Sequence, residues 1–251
     1  QKAVPVGVGA MAALLGVGAE AAEKVAAEAA QGDICQVAND NDPTQIVLSG
    51  HKTAIDRVAE IGKKYGVRRA VPLPVSAPFH CALMQPAADA MAEALAQVTV
   101  NKPVVPVVAN VLAAPISDPD EIRKRLVEQV TGTVRWRECV AAMAADGVTE
   151  FYEIGAGKVL AGLVKRTAAS ASAVSIGAPA DIDAAALDRR RAAMDNALPD
   201  ACVSGYAPLI PGLWLDAGAF VVYGGLPASP FFLGLPPEGV AGYWSVPPGL
   251  A

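Results

Sequence analysis

The histidine at position 80 has the residue type and the place in the chain that acid–base chemistry requires. It ends the stretch Val75-Ser76-Ala77-Pro78-Phe79-His80, after an apolar predicted strand and before a long predicted helix. An imidazole titrates near neutral pH, so a histidine held at such a corner is well placed to act as a general base. A base needs a group to activate, yet none of the nine serines lies in a G-x-S-x-G sequence. The sequence therefore predicts half of a catalytic site.

Three other places could carry chemistry, and a structural role explains each of them better. His51 opens a predicted helix, where a capping or solvent-facing role is expected. Gly155-Ala156-Gly157-Lys158 resembles a phosphate loop, but it lacks the G-x-x-x-x-G-K-[ST] spacing and favours a tight strand-to-helix turn. Cys81 adjoins His80, but adjacent residues usually point in different directions, so we do not expect a Cys–His pair.

Charge and hydropathy exclude two classes of partner. The net charge is −5, which is too acidic for a nucleic-acid binder. The two longest uncharged stretches, Ala3–Ala19 and Ala217–Pro237, are broken by glycine and proline, so neither predicts a membrane span. We expect neither nucleic acid nor membrane as a partner.

The cysteines indicate a reducing compartment. None of the four belongs to a C-x-x-C pair, and they are scattered over the chain at Cys35, Cys81, Cys139 and Cys202. This spacing favours neither a zinc site nor a disulfide framework. We therefore expect reduced thiols, a cytoplasmic protein and no metal.

Residues 1–76 predict a compact unit with the order β-α-β-β-α-β. Strands are expected near residues 4–15, 34–38, 45–49 and 69–75, and helices near residues 19–31 and 51–65. An Asn/Asp/Pro turn over Asn39–Pro43 separates two apolar runs and indicates a hairpin. This order is the ferredoxin-like split β-α-β arrangement.

Residues 77–187 predict alternating helices and strands, hence an α/β sheet. The helices are expected near residues 82–96, 120–130, 134–145 and 158–166, with a helical turn over 181–187; the strands are expected near 104–109, 149–154 and 174–176. Val104–Ala109 is almost entirely apolar, as a buried parallel strand would be. So few strands make a poor open sheet, so we expect the sheet to be incomplete.

The composition changes after Arg191. Residues 192–251 contain nine glycines, nine prolines and no lysine or arginine. We therefore expect residues 188–251 to be a poorly ordered Gly/Pro-rich tail. The tail is either a lineage-specific extension or translation past the usual end of the gene, and the abrupt loss of basic residues favours the second.

Several stretches in one order carry a family resemblance. They are Ala3–Ala12, Leu73–His80, Pro106–Val111, Leu126–Gln129, Val134–Trp136 and Glu153–Leu160. From Gln1 to Arg166, and more weakly to about Leu187, the chain resembles the C-terminal part of a bacterial malonyl-CoA:acyl carrier protein transacylase. The resemblance implies a ferredoxin-like small subdomain joined to the second half of an α/β-hydrolase-like acyltransferase core.

The resemblance also implies a ping-pong malonyl transfer in fatty acid synthesis. A serine takes the malonyl group from coenzyme A and passes it to the phosphopantetheine thiol of acyl carrier protein. His80 takes the place of the catalytic histidine, and the main-chain oxygen of Gln129 holds its ring in one tautomer. No cofactor is implied, since the coenzyme A thioester is the substrate. The family's serine elbow, oxyanion-hole glutamine and malonate-binding arginine fall before Gln1.

Two further residues are candidates for substrate binding. Asn39, with Asn41, matches an Asn-x-Asn feature near the family's cleft, although turn chemistry alone explains these residues equally well. Arg69, with Arg68 and the pair Lys165-Arg166, could contact the phosphates of coenzyme A or the acidic face of the carrier protein. A solvated charged edge is an equal alternative.

We therefore interpret the chain as a fragment of a cytoplasmic acyltransferase that is inactive in isolation. The main alternative is a non-catalytic fragment or binding module that needs a separate N-terminal half. A second alternative keeps the enzyme class but changes the acyl group, because the arginine that selects malonate is expected outside this chain.

Overall fold

The computed structural model describes residues 3–155, 157–182, 184–185, 202–203 and 219–224. The strands are β1 (Gly9–Leu15), β2 (Cys35–Asp42), β3 (Gln45–His51), β4 (Arg69–Pro72), β5 (Val107–Ala109), β6 (Ala114–Ile116), β7 (Val148–Ile154), β8 (Ser172–Ile176), β9 (Cys202–Val203) and β10 (Ala219–Gly224). The helices are α1 (Ala19–Ala30), α2 (Lys52–Lys64), α3 (Gln85–Ala96), α4 (Pro119–Thr131), α5 (Trp136–Ala145) and α6 (Val159–Thr167), and a 3-10 turn covers Ala82–Met84.

The helices predicted from apolar spacing are present, with small shifts at their ends. In α2 the residues at helical spacing, Ala54, Ile55, Val58 and Ile61, are all buried. Residues 179–182 and 184–185 are helical and overlap the helical turn expected over 181–187. Among the described residues, no helix combines the length and the apolar character that a membrane span requires.

The first sheet has the strand order β2-β3-β1-β4 and is antiparallel throughout. With α1 and α2 in the two connections, this is the ferredoxin-like arrangement, as predicted. One face of the sheet packs on both helices through Leu14, Val25, Leu48 and Val58. The boundary at residue 76 stays a prediction.

The other face of this sheet is buried as well. Met11, Ala13, Ala38 and Val47 form a small core there, and Leu73 and the ring of Phe79 pack against it. Because both faces are covered, β1 is apolar at successive positions instead of alternating with polar residues. The segment that leads to His80 is therefore seated directly on the sheet.

The predicted turn over Asn39–Pro43 is wrong in its extent, because β2 continues to Asp42. Two register shifts, at Val37/Asn39 and Asp40/Asp42, let this polar segment stay in the sheet. The carboxylates of Asp40 and Asp42 are buried and each meets an arginine from a distant helix. Partners far along the chain thus override the local turn chemistry.

The predicted buried parallel strand over Val104–Ala109 is also wrong. Only Val107–Ala109 forms a strand, and it pairs antiparallel with β6, which the sequence analysis did not predict. Pro103 and Pro106 have no N–H to donate, which disfavours a buried central strand through the earlier part of the run. Val104 is 77% exposed as a result.

A second sheet has β7 at its centre and confirms the predicted α/β class. β7 pairs parallel with β8 on one side and antiparallel with β10 on the other. Much of the segment predicted to be a poorly ordered tail, 188–251, lies outside the described residues. Within them Ala219–Gly224 forms β10, and its β-branched and aromatic residues favour a strand; the expectation for the segment as a whole stays a prediction.

Candidate active site

His80 is held by a hydrogen bond that decides which ring nitrogen carries the proton. Its Nδ1 lies 3.0 Å from the main-chain oxygen of Gln129. A carbonyl oxygen can only accept, so Nδ1 must bear the proton and donate it. The lone pair of the neutral ring is then on Nε2, which is the state of a general base.

Gln129 supplies this oxygen because it lies in the last turn of α4, which ends at Thr131. The last four carbonyls of a helix have no partner within the helix, so the oxygen of Gln129 is available to the histidine. The C-terminus of a helix also carries partial negative charge, which stabilises a nearby imidazolium. The position therefore fixes the tautomer of His80.

The side chain of Gln129 contributes as well as its main chain. Its Nε2 donates to the carbonyl of Gly132 at 3.0 Å and lies 3.4 Å from that of Thr133. The same loop is joined to β2, where Thr133 Oγ1 donates to Val37 O at 2.6 Å and Val134 N donates to Ala38 O at 2.8 Å. Gln129 is thus fixed to the edge of the first sheet.

Close packing and hydrogen bonds also hold the residues on either side of His80, from Pro78 to Ala82, which we call the His80 corner. Pro78 is fully buried, and Gly9 lies so near it that an added Cβ would be 2.2 Å from Pro78 Cγ. Beyond the histidine, Cys81 Sγ donates to Pro78 O at 3.1 Å and Ala82 N donates to Gln36 Oε1 at 2.8 Å. The thiol of Cys81 therefore bonds a carbonyl of its own turn, and no Cys–His pair forms here.

The two predicted substrate-binding residues lie at opposite edges of the first sheet. Asn39 is half-buried in β2 and forms an isolated parallel bridge with Val134. Arg69 is exposed at the start of β4. With two strands between these edges, the strand spacing puts them about 14 Å apart. The structure thus brings His80 and Gln129 together, but it does not bring Arg69 to Asn39.

The comparison with a family model decides the class of this chain. The acyl transferase domain model matches residues 2–195, which include both His80 and Gln129. The chain belongs to the acyl transferase domain family.

Curated and structural relatives are malonyl transferases. This acyl transferase domain is 46% identical over 185 residues to the malonyl CoA-acyl carrier protein transacylase of Escherichia coli K12, covering 74% of the chain and 60% of that relative. A crystal structure of an acyl carrier protein S-malonyltransferase from Vibrio cholerae matches with a TM-score of 0.72 and 45% identity, covering 74% of the chain and 60% of the other.

A third relative is a malonyl-transacylase solved in complex with a type II PKS acyl carrier protein. It matches with a TM-score of 0.72 and 40% identity, and covers 75% of this chain and 61% of its own. The chain spans about 60% of the length of the E. coli relative. These relatives do not favour a non-catalytic binding module.

Two ion pairs with buried carboxylates join β2 to α5 and α6. Arg137 forms a forked contact with Asp40, with Nη2 2.7 Å from Oδ2, and Arg166 Nε lies 2.6 Å from Asp42 Oδ2. Burial raises the pKa of Asp42, but hydrogen bonds from Thr44 and Arg166 outweigh it, so that pKa lies below its ordinary value. The guanidinium of Arg166, a candidate contact for coenzyme A, is therefore engaged by Asp42.

The Gly155–Lys158 turn is not a phosphate cradle. The helix that follows it presents Leu160 N and Ala161 N to the buried carboxylate of Glu153, at 3.1 and 2.9 Å. These are the donors that a phosphate would use at a helix N-terminus. The carboxylate of the protein itself occupies them, so the turn serves to connect β7 and α6.

The three cysteines whose side chains are described are poor nucleophiles in this fold. Burial raises the pKa of the Cys35 thiol to about 11 and that of Cys139 to about 12, and it also raises the pKa of Cys81. A thiol reacts as its thiolate, so these groups are unreactive near neutral pH. Among the described residues, no cluster of histidine, cysteine, aspartate and glutamate could hold a metal ion.

His51 has a different role from the capping or solvent-facing one that was expected. It is the N-cap residue of α2, but its side chain makes no capping hydrogen bond. Instead Ile34 N donates to His51 Nδ1 at 2.8 Å, which ties the end of β3 to the residue before β2. Because an N–H only donates, Nδ1 is unprotonated and the proton of the neutral ring is on Nε2.

Proposed function

We propose that this acyl transferase domain supplies the general base for malonyl transfer from coenzyme A to acyl carrier protein in fatty acid synthesis. The observation that carries the proposal is the 3.0 Å contact between His80 Nδ1 and Gln129 O, since it leaves Nε2 as the basic nitrogen. The malonyl transferases among the relatives, one of them in complex with an acyl carrier protein, support the substrate and the partner.

In the proposed mechanism His80 moves one proton in each half-reaction. It takes the proton from the attacking hydroxyl as the O–C bond forms, and it returns that proton to the coenzyme A sulfur as the thioester bond breaks. The second half-reaction runs in the opposite direction, with the thiol of the carrier protein as the attacking group. The imidazolium in between faces Gln129 O at the C-terminus of α4, which stabilises its charge.

The nucleophile of this mechanism is not provided by a serine elbow in the sequence given. No G-x-S-x-G occurs in the 251 residues, and the thiols of Cys35, Cys81 and Cys139 have raised pKa values. We therefore expect this chain to remain unmodified by malonyl-CoA.

Asn39 and Arg69 are proposed to contact substrate in different ways. Asn39 lies in the strand that holds the Gln129 loop, and its side-chain amide is proposed to contact the acyl group. Arg69 is exposed beside Arg68, and a guanidinium pair suits the phosphates of coenzyme A or an acidic carrier surface. We also propose a cytoplasmic location, supported by the free thiols of the three cysteines whose side chains are described.

A chimera tests the proposed function directly. Residues of this chain would replace the aligned stretch of the E. coli relative, with which they share 46% identity over 185 residues. We expect the chimera to transfer malonyl groups from malonyl-CoA to acyl carrier protein. In the same chimera His80→Ala should lower kcat by about 10²–10⁴-fold, the contribution of a general base.

His51→Ala in the same chimera is the matched control, because it removes the other histidine and should leave the chemical step intact. A folded chimera that transfers malonyl groups equally well with and without His80 would contradict the proposal. A folded chimera that transfers only another acyl group would support the alternative acyl specificity.

A further inference from the structure

His80 has a backbone conformation that a histidine keeps only when its surroundings impose it. Its φ is +57°, in the left-handed region that residues other than glycine rarely adopt. In this conformation the ring faces Gln129 O, so a change in the main chain on either side of His80 would move the ring. Residues in such conformations are often part of a functional site.

The segment before His80 is fixed by packing. Pro78 is fully buried beside Gly9, and Phe79 packs on the core formed by Met11, Ala13 and Val47. After His80, Cys81 and Met84 are buried, but Ala82 between them is exposed. A polar contact holds the main chain at Ala82.

That contact is the 2.8 Å hydrogen bond from Ala82 N to Gln36 Oε1, which joins positions 46 residues apart. Cys35 and Val37, on either side of Gln36, pack towards α1 and α2. Because side chains alternate along a strand, Gln36 projects from the opposite face, where the His80 corner lies. Gln36 is paired with Ser49 of β3, so its backbone is anchored within the sheet.

The same strand also fixes the partner of His80. Val37 O accepts from Thr133 Oγ1, and Ala38 O accepts from Val134 N. The side chain of Gln129 is bonded to this loop through Gly132 O. Successive residues of β2 therefore hold the two ends of the His80–Gln129 hydrogen bond.

We infer that Gln36 is a positioning residue for His80, holding the main chain after the histidine so that Nδ1 stays against Gln129 O. The inference rests on the proposed function, because the position of the ring matters to catalysis only if His80 is the base. Gln36 acts through the backbone of Ala82 and not on the reacting atoms.

The test uses the whole chain, and NMR on the histidine rings and the Ala82 amide. In the unsubstituted chain the Ala82 amide should be protected from hydrogen exchange. In Gln36→Ala this exchange should become about tenfold faster, which is the effect of losing one hydrogen bond. The His80 ring should then lose its single Nδ1–H form and show both tautomers.

Three comparisons separate positioning from general damage. Gln36→Glu keeps an acceptor, so the Ala82 amide should stay protected and His80 should keep its single Nδ1–H form. Gln36→Lys keeps a long side chain without an acceptor and should behave like Gln36→Ala. Gln85→Ala is the matched control, because it removes an exposed glutamine hydrogen bond from the same segment, to Asp89, and should change nothing at His80. The ring signals of His51 should stay constant in all four variants and report an intact sheet.

An unprotected Ala82 amide in the unsubstituted chain would overturn the inference. So would a Gln36→Ala or Gln36→Lys variant whose His80 tautomer is unchanged. These signals are measured without substrate, so they distinguish a failure of this inference from a failure of malonyl transfer in the chimera.

Discussion

His80 and His51 both stand where the chain is about to enter a helix, yet their imidazoles are set up for opposite roles. The Nδ1 of His80 faces a carbonyl oxygen at 3.0 Å, whereas the Nδ1 of His51 faces a main-chain N–H at 2.8 Å. The first ring therefore has its basic lone pair on Nε2, and the second has used its lone pair to accept a structural hydrogen bond. The residue type alone does not distinguish a base from a structural link; the partner of Nδ1 does.

The two histidines also differ in backbone conformation, which is ordinary at His51 and rare at His80. His51 is extended, with φ −61° and ψ 140°, an ordinary conformation for the residue before a helix. His80 has a φ of +57°, which needs support from its neighbours. We expect substitutions near His51 to act mainly on stability, and substitutions near His80 to act mainly on the geometry of the ring.

The largest effect is expected at Gly50, beside His51. A Cβ at this position would lie 2.0 Å from the main-chain oxygen of Ile34, the residue that bonds His51 through both its N–H and its carbonyl. Because backbone atoms cannot move aside easily, Gly50→Ala should lower the free energy of unfolding by at least about 3 kcal/mol. Denaturant unfolding measures this loss.

Gly18→Ala is the control for this change, since its Cβ would meet the nearest atom, Pro43 O, at an ordinary 3.5 Å. It should change the free energy of unfolding by less than about 1 kcal/mol. Equal losses of unfolding free energy in the two variants would show that the contact with Ile34 O does not destabilise Gly50→Ala.

Gly9→Ala should disturb the His80 corner with a smaller loss of stability. Its Cβ would meet the side-chain ring of Pro78 at 2.2 Å, whereas the Cβ at Gly50 would meet main-chain atoms. We expect a loss of about 1–3 kcal/mol together with a shifted His80 ring signal. An unchanged His80 signal in a folded Gly9→Ala variant would contradict the packing described for this corner.

Replacing the histidines themselves should separate the two roles. His51→Leu leaves Ile34 N without its acceptor and should cost about 1–3 kcal/mol of folding stability. His80→Asn loses one hydrogen bond but places in the left-handed region a residue that tolerates it, so stability should change by less than about 1 kcal/mol. Thermal unfolding that ranks the two variants in the opposite order would count against the comparison.

The smallest effect concerns acid unfolding near His51. Hydrogen bonds from Thr53 and Arg57 hold the pKa of Asp33 below its ordinary value. A carboxyl with a lowered folded pKa adds stability above its unfolded pKa, about 3.9, and loses it as the pH falls through the folded value. The stability difference between the unsubstituted chain and Asp33→Asn should therefore shrink on acidification through that range. A difference that stays constant would show that Asp33 does not contribute in this way.

Local patterns in the sequence predicted the elements better than they predicted the site. The spacing of Ala54, Ile55, Val58 and Ile61 predicted α2, because helix periodicity is a short-range property. The extent of β2 was predicted wrongly because Asp40 finds its arginine 97 residues away. No local pattern contains that information.

The site was found only in part. His80 and Gln129 were assigned by family resemblance, and the structure brings them together although they are 49 residues apart. Gln36 and Gly9 were missed: an exposed glutamine and a glycine at the start of an apolar strand carry no signal of what they contact. A glycine within a strand is the one hint the sequence offers, since it often marks close approach of another part of the chain.

The most direct test of the comparison is a long-range 1H–15N NMR spectrum of the two imidazole rings in the unsubstituted chain, at about pH 8 where histidine is ordinarily neutral. We predict that Nδ1 carries the proton in His80 and that Nε2 carries it in His51. Protonation of His80 on Nε2 would contradict its assignment as the general base, since the basic lone pair would then be turned towards the carbonyl of Gln129.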